Sequence, residues 1–169
     1  MKISVLFLLL LPATLKAQTI TWESAEISVE GLTCSFCSRN VEMALRKLDF
    51  IEEVKMDLEK TMGIITFKKG ITISPAEIRK SIYDSGFILG KIILKGQGKG
   101  IKGQTCLDDN GMKYQIITDG KDPGDGAFSF LVVNKKFLST KEGKDLNTKI
   151  NPSTACGTTK DVYYISLLH

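Results

Sequence analysis

Apolar and polar positions alternate through Ala25–Glu30, placing Ile27 and Val29 on one face, the pattern of a half-buried strand. The period then changes. Cys37, Val41, Ala44, Leu45 and Leu48 fall on one stripe of an amphipathic helix, which Leu48-Asp49-Phe50 closes. Alternation returns in Glu52–Glu59, with Val54, Met56 and Leu58 inward. Lys60–Gly63 makes a turn, and Ile64–Phe67 forms the next strand with Ile65 and Phe67 toward the core. Ser74-Pro75-Ala76-Glu77 carries an N-cap, a proline at the first helical position and the glutamate of a capping box. Ile78 and Ile82 supply that helix's apolar face, Gly86 suits a left-handed stop, and Phe87–Leu94 reads as a strand. Strand, helix, strand, strand, helix, strand is the βαββαβ order of a ferredoxin-like α+β fold, an antiparallel sheet with two helices on one face.

Beyond it the pattern changes again. Gly96-Gln97-Gly98-Lys99-Gly100-Ile101-Lys102-Gly103 has the composition of a flexible linker, so residues 96–103 are expected to separate two units. Residues 104–169 read as a small all-β module of about five strands. Gln104–Leu107 and Met112–Thr118 flank the hairpin turn Asp108-Asp109-Asn110-Gly111, Phe128–Val133 and Lys136–Ser139 flank Asn134-Lys135, and Val162–Leu168 closes the chain.

The first residues alter the picture of where the chain works. A basic start, an apolar run from Ile3 to Leu11 and a Pro12–Ala17 cleavage region predict a signal peptide over residues 1–17. Its apolar part is too short for a spanning helix, and no second long apolar run follows, so an exported, periplasmic or secreted protein without stable membrane insertion is expected. Loss of Lys2 and Lys16 takes the formal charge from +4 to +2. That mild balance, with no basic stripe interleaved with aromatics, argues against nucleic acid. The single histidine is His169, which excludes a Cys/His zinc cluster and a Ser-His-Asp arrangement.

The chemistry concentrates in Gly31-Leu32-Thr33-Cys34-Ser35-Phe36-Cys37, where both sulfurs are expected in a loop entering a helix. Free N–H groups and the helix dipole favour negative charge there, and so favour thiolate, the form that binds metal and attacks disulfides. Soft thiolates select Cu(I)-like ions, and two sulfurs under-supply zinc. A Cys-x-x-Cys at a helix start is also a thiol–disulfide exchange arrangement. Against it stand Ser-Phe between the cysteines and no later proline placed opposite them. In an oxidising compartment the unprotected pair can itself close. Cys106 and Cys156 are expected as a structural disulfide, with an auxiliary metal site or free thiols as the alternatives.

Together with Val41-Glu42, Ala44-Leu45 and Asp84-Ser85-Gly86-Phe87, the cysteine stretch resembles the heavy-metal-associated domain over about residues 22–95. That domain is found in copper chaperones, metal-pumping ATPases and the periplasmic mercury-binding protein. The resemblance implies that Cys34 and Cys37 bind a soft ion, Cu(I) first, with Hg(II) and Zn(II) as further candidates. It also implies hand-over to a metal-transporting ATPase or another metal-binding protein. Leu32 replaces the methionine common in the family, a nearly volume-neutral change beneath the loop. Phe87 stands where chaperones carry Lys or Tyr, and the resemblance gives it a shielding role.

The other candidates have plainer readings. Asp119, Asp122 and Asp125 recur at every third position, unlike a calcium loop, and read as a solvated acidic turn. Met43, Met56, Met62 and Met112 read as packing residues. Arg39, Arg46 and Lys47 read as a solvated face, with docking of an acidic partner as the sharper alternative, and Glu42 with Arg46 as an i, i+4 pair. The expectation is therefore a non-enzymatic metal-binding protein for sequestration or transfer. The alternatives are a thiol–disulfide exchange protein or a module for protein interaction.

Overall fold

The structure, a computed structural model, describes residues 19–117, 122–133, 137, 156 and 162–168. The signal segment, Asp119, Lys136, Leu138, Ser139 and His169 lie outside them. The elements run β1 (Thr19–Glu30), α1 (Ser35–Leu45), β2 (Ile51–Asp57), β3 (Met62–Phe67), α2 (Pro75–Asp84) and β4 (Ile88–Lys99). They continue as β5 (Cys106–Asp109), β6 (Met112–Ile117), β7 (Gly126–Val132) and β8 (Val162–Leu167).

The first six elements have the expected ferredoxin-like order, with antiparallel neighbours β2-β3-β1-β4. Ala25, Ile27 and Val29 of β1 pack into one core with Val41 and Leu45 of α1 and Ile78 and Ile82 of α2. The Ser74 hydroxyl accepts the Glu77 N–H at 3.3 Å, and Gly86 takes φ +86° past the helix end. These are the start and stop that Ser-Pro-x-Glu and glycine specify. Helix α1 stops at Leu45, one turn earlier than its apolar stripe suggests. A register shift between Ile51 and Glu53 breaks the alternation in β2, and Leu58, expected inward, lies beyond the strand and is exposed.

The linker expectation is overturned. Strand β4 continues through Lys99, and Gly96 to Lys99 pair with Trp22 to Thr19 of a β1 that starts six residues before Ala25. On its other side β4 pairs with β7 from Ile93↔Leu131 to Gly98↔Gly126. The sheet is thereby continuous over eight strands, β2-β3-β1-β4-β7-β8-β6-β5, with β6 and β8 parallel. The glycines mark close approach. A Cβ on Gly96 would lie 2.2 Å from the Thr21 carbonyl oxygen, and one on Gly98 would lie 2.5 Å from Ile101 Cδ1. Ile101, expected in the linker, is fully buried over that gap.

The later strands add to the existing sheet instead of making a detached all-β unit, and the core is continuous as well. Trp22 of β1 packs on Tyr114 and Phe128 with ring centroids 5.0 and 5.3 Å apart, and Tyr114 stacks on Tyr163 at 5.6 Å. Aromatic contacts of this kind add to simple area burial. The Tyr163 hydroxyl also accepts the Ala76 N–H at 3.2 Å, so the last strand satisfies a free donor in the first turn of α2. The β5–β6 hairpin turns at Asn110-Gly111, both at positive φ, and Asp108 Oδ1 accepts the Gly111 N–H at 2.8 Å.

Candidate metal centre

Strand β1 ends at Glu30, and the next residue, Gly31, turns the chain with a φ of +83°. Leu32 turns inward and is buried beneath the loop, as a methionine of similar volume would be. Phe87, half-buried, stands against this corner, its Cδ1 3.9 Å from where a Cβ on Gly31 would sit.

Cys34 is the N-cap of α1, with extended backbone (φ −143°, ψ 155°), and its Sγ accepts the Cys37 N–H at 3.1 Å. Cys37 is the third residue of the helix and packs against the core, so only Cys34 belongs to the loop in which both were expected. The sulfur of Cys34 takes the place that a serine or aspartate oxygen commonly fills, and satisfies one of the free helix donors. A sequence reader finds that role by counting back from Cys37 to the last non-helical residue. Cysteine is not among the usual caps, so nothing in its identity advertises it.

The two Cα atoms are 5.2 Å apart, and the sulfurs are joined as a disulfide. Cys34 is exposed and Cys37 half-buried. Phe36, between them, is 80% exposed, and with Ser35, Arg39, Met56 and Leu58 it borders a shallow groove. Such exposure of a large apolar ring could not be read from the sequence, since Phe36 carries the same apolar character as the core residues around it. Among the described residues, no group of three or more His, Cys, Asp or Glu side chains could hold a metal ion. The donor set at α1 is therefore two soft sulfurs at most. In the reduced state it suits a polarisable ion of low coordination number and not a four-ligand zinc site.

The remaining candidates separate. Cys106 and Cys156 form a disulfide across 50 residues, distinct from the Cys34–Cys37 pair. Arg46 bonds Glu42 Oε1 at 2.8 Å and the Val54 carbonyl at 3.0 Å, which ties the end of α1 to β2, while Arg39 and Lys47 remain exposed. Met56 and Met112 pack against the core as expected. Met43 is exposed, contrary to the packing role expected of it. Asp122 and Asp125 do more than solvate a turn. Asp122 Oδ1 accepts the Gly103 and Gly124 N–H groups at 3.0 and 3.1 Å, and Asp125 Oδ1 accepts the Ile101 N–H at 3.0 Å. No helix of the described residues is long and apolar enough to cross a membrane.

The model of the heavy-metal-associated domain matches residues 26–87. Copper-transporting ATPase 2 of Rattus norvegicus is 36% identical over 62 residues, 37% of this chain and 4% of the ATPase. The mercuric transport protein periplasmic component of Pseudomonas fluorescens is 32% identical over 76 residues, covering 45% of this chain and 77% of that protein. The copper chaperone CopZ of Staphylococcus haemolyticus (strain JCSC1435) is 31% identical over 61 residues, 36% of this chain and 88% of the chaperone. The chain thus spans a small fraction of the ATPase but most of the two small proteins, and it belongs to the heavy-metal-associated domain family.

Proposed function

We propose that this chain is an exported, non-enzymatic metal-binding protein whose cargo is a soft cation, Cu(I) first, held by the thiolates of Cys34 and Cys37. The observation that carries the reading is the side-by-side placement of these sulfurs at the start of α1, one exposed and one half-buried. The helix N-terminus favours the anionic form of both, and anionic sulfur is the ligand a soft ion prefers. Two donors, without a third sulfur, imidazole or carboxylate gathered beside them among the described residues, leave the ion open to attack by an incoming thiolate. Such a site is suited to hand-over as well as to storage. The recipient or donor would be a metal-transporting ATPase or another metal-binding protein, and Hg(II) is the competing cargo. Phe87, against the loop corner, would limit water on one side.

The test is a competition titration of the mature protein, reduced and kept anaerobic, with Cu(I), Hg(II) and Zn(II) against chelators of known affinity. One Cu(I) per chain is expected, lost in both Cys34→Ser and Cys37→Ser. Binding that survives both substitutions would remove the site from α1.

A further inference from the structure

The chain holds two disulfides that differ in access. Cys34 is exposed and Cys37 half-buried, whereas Cys106 is half-buried and Cys156 is only 3% exposed. A disulfide opens when a thiolate reaches one of its sulfurs, so access decides which bond exchanges first. A compartment that maintains Cys106–Cys156 also favours closure of cysteines whose Cα atoms are 5.2 Å apart. Once closed, that pair has no thiolate to offer a metal.

We propose that the Cys34–Cys37 disulfide is the resting, metal-refractory form of the site, and that a dithiol reductant opens it by attack on Cys34 while Cys106–Cys156 stays closed. This rests on the metal-binding function proposed above and adds its control. In the first step a thiolate of the reductant forms a bond to Cys34 Sγ, and the Cys34–Cys37 bond breaks. Cys37 Sγ leaves with the electron pair in the first turn of α1, where the helix dipole favours an anion. In the second step the reductant's other thiol attacks its own sulfur in the mixed disulfide and releases Cys34 Sγ. The reductant has lost two electrons and become a disulfide. The cysteine pair has gained those electrons and the reductant's two protons, which are displaced when a metal binds. Cys34 is the attacked sulfur because it faces solvent, while Cys37 packs against the core. The Cys37 N–H, which reaches Cys34 Sγ at 3.1 Å, then stabilises the released thiolate.

The experiment uses the mature chain with both disulfides formed. Dithiothreitol is applied for graded times, the reaction is quenched with acid, and free thiols are alkylated and mapped by mass spectrometry. Cys34 and Cys37 should be labelled roughly tenfold or more faster than Cys106 and Cys156, since access and thiolate supply set exchange rates. Glutathione, a monothiol, should be caught on Cys34. Cu(I) retained after desalting should rise in step with labelling of the pair. Equal or reversed labelling of the two disulfides, or glutathione caught on Cys37, would overturn the proposal. Cu(I) retention by the fully closed protein that needs Cys34 and Cys37 would overturn the gate and leave the metal-binding reading standing. Selective opening with no Cu(I), Hg(II) or Zn(II) uptake would overturn both.

Discussion

The backbone of Thr21 on β1 leaves no room for a side chain at Gly96 on β4: a Cβ there would sit 2.2 Å from the Thr21 carbonyl oxygen. Backbone cannot rotate away as a flexible side chain can, so the two strands must part. Gly96→Ala is expected to destabilise the protein by about 3 kcal/mol, the upper end of overpacking costs. Gly103→Ala, at φ +73° in open space, should cost about 1 kcal/mol through backbone strain alone. Urea unfolding followed by Trp22 fluorescence measures both, because the single tryptophan is buried at this junction. A flexible linker would instead tolerate either alanine or gain slightly from it.

That contrast shows where sequence reasoning succeeds and where it fails. The βαββαβ half was legible because Ile27, Val29, Val41 and Ile82 keep a clean period, and because Ser74 and Gly86 mark helix ends with side chains of specific geometry. Glycine has two opposite uses, freedom and close approach, and composition cannot separate them. Gly96 and Gly98 serve the second, facing Thr21, Ile101 and Phe128, residues up to 75 positions away along the chain. Trp22 carried the missing information, since a large ring just before a short predicted strand needs something to cover it. Cys34 and Cys37 stood out by spacing alone. The capping role of Cys34, and its difference in exposure from Cys37, depend on where α1 begins, which the apolar stripe fixes only to within a turn.

Tyr163→Phe tests whether the two halves support each other. The substitution keeps the ring against Tyr114 and Phe137 but removes the oxygen that accepts the Ala76 N–H at 3.2 Å. The donor is only partly buried, so water can replace part of the bond and the expected loss is about 1 kcal/mol. Hydrogen exchange at the Ala76 amide should accelerate together with the drop in urea midpoint. An unchanged exchange rate would mean that the contact contributes nothing to α2.

The acidic turn predicts a pH dependence with a definite sign. Backbone N–H groups of Gly103 and Gly124 hold Asp122 below its ordinary 3.8, and those of Gly100 and Ile101 do the same for Asp125. Their stabilisation is therefore fully present above 3.8 and is lost as pH falls through the lowered folded-state values. Asp109 works in reverse. Burial, and then the charge of Asp108, raise it, while the Trp22 N–H, without a hydrogen bond of normal length, opposes them. Its contribution is present below 3.8 and lost as pH rises through the raised value. The double substitution Asp122→Asn with Asp125→Asn should flatten the acid-side fall in stability relative to the parent. Asp109→Asn should instead remove a loss that appears on going toward neutral pH. Urea midpoints collected between about pH 2 and pH 6 distinguish the two.

Serine and alanine at position 34 should separate the two jobs of Cys34. As N-cap it accepts the Cys37 N–H at 3.1 Å, and as proposed ligand it supplies one of two sulfurs. Serine retains an acceptor of the right reach and is itself a favoured N-cap, whereas alanine leaves that helix donor to water. Cys34→Ser should therefore be more stable than Cys34→Ala by about 1 kcal/mol, while both lose Cu(I) retention completely. Both variants lack the Cys34–Cys37 disulfide and keep Cys106–Cys156, so the difference between them isolates the cap from the cross-link. Measured against parent protein in which only the Cys34–Cys37 pair is reduced and Cys106–Cys156 stays closed, Cys34→Ser should have nearly the parental urea midpoint. Equal stability of the two variants would show that a side-chain acceptor at this position does not stabilise α1 once the pair is open.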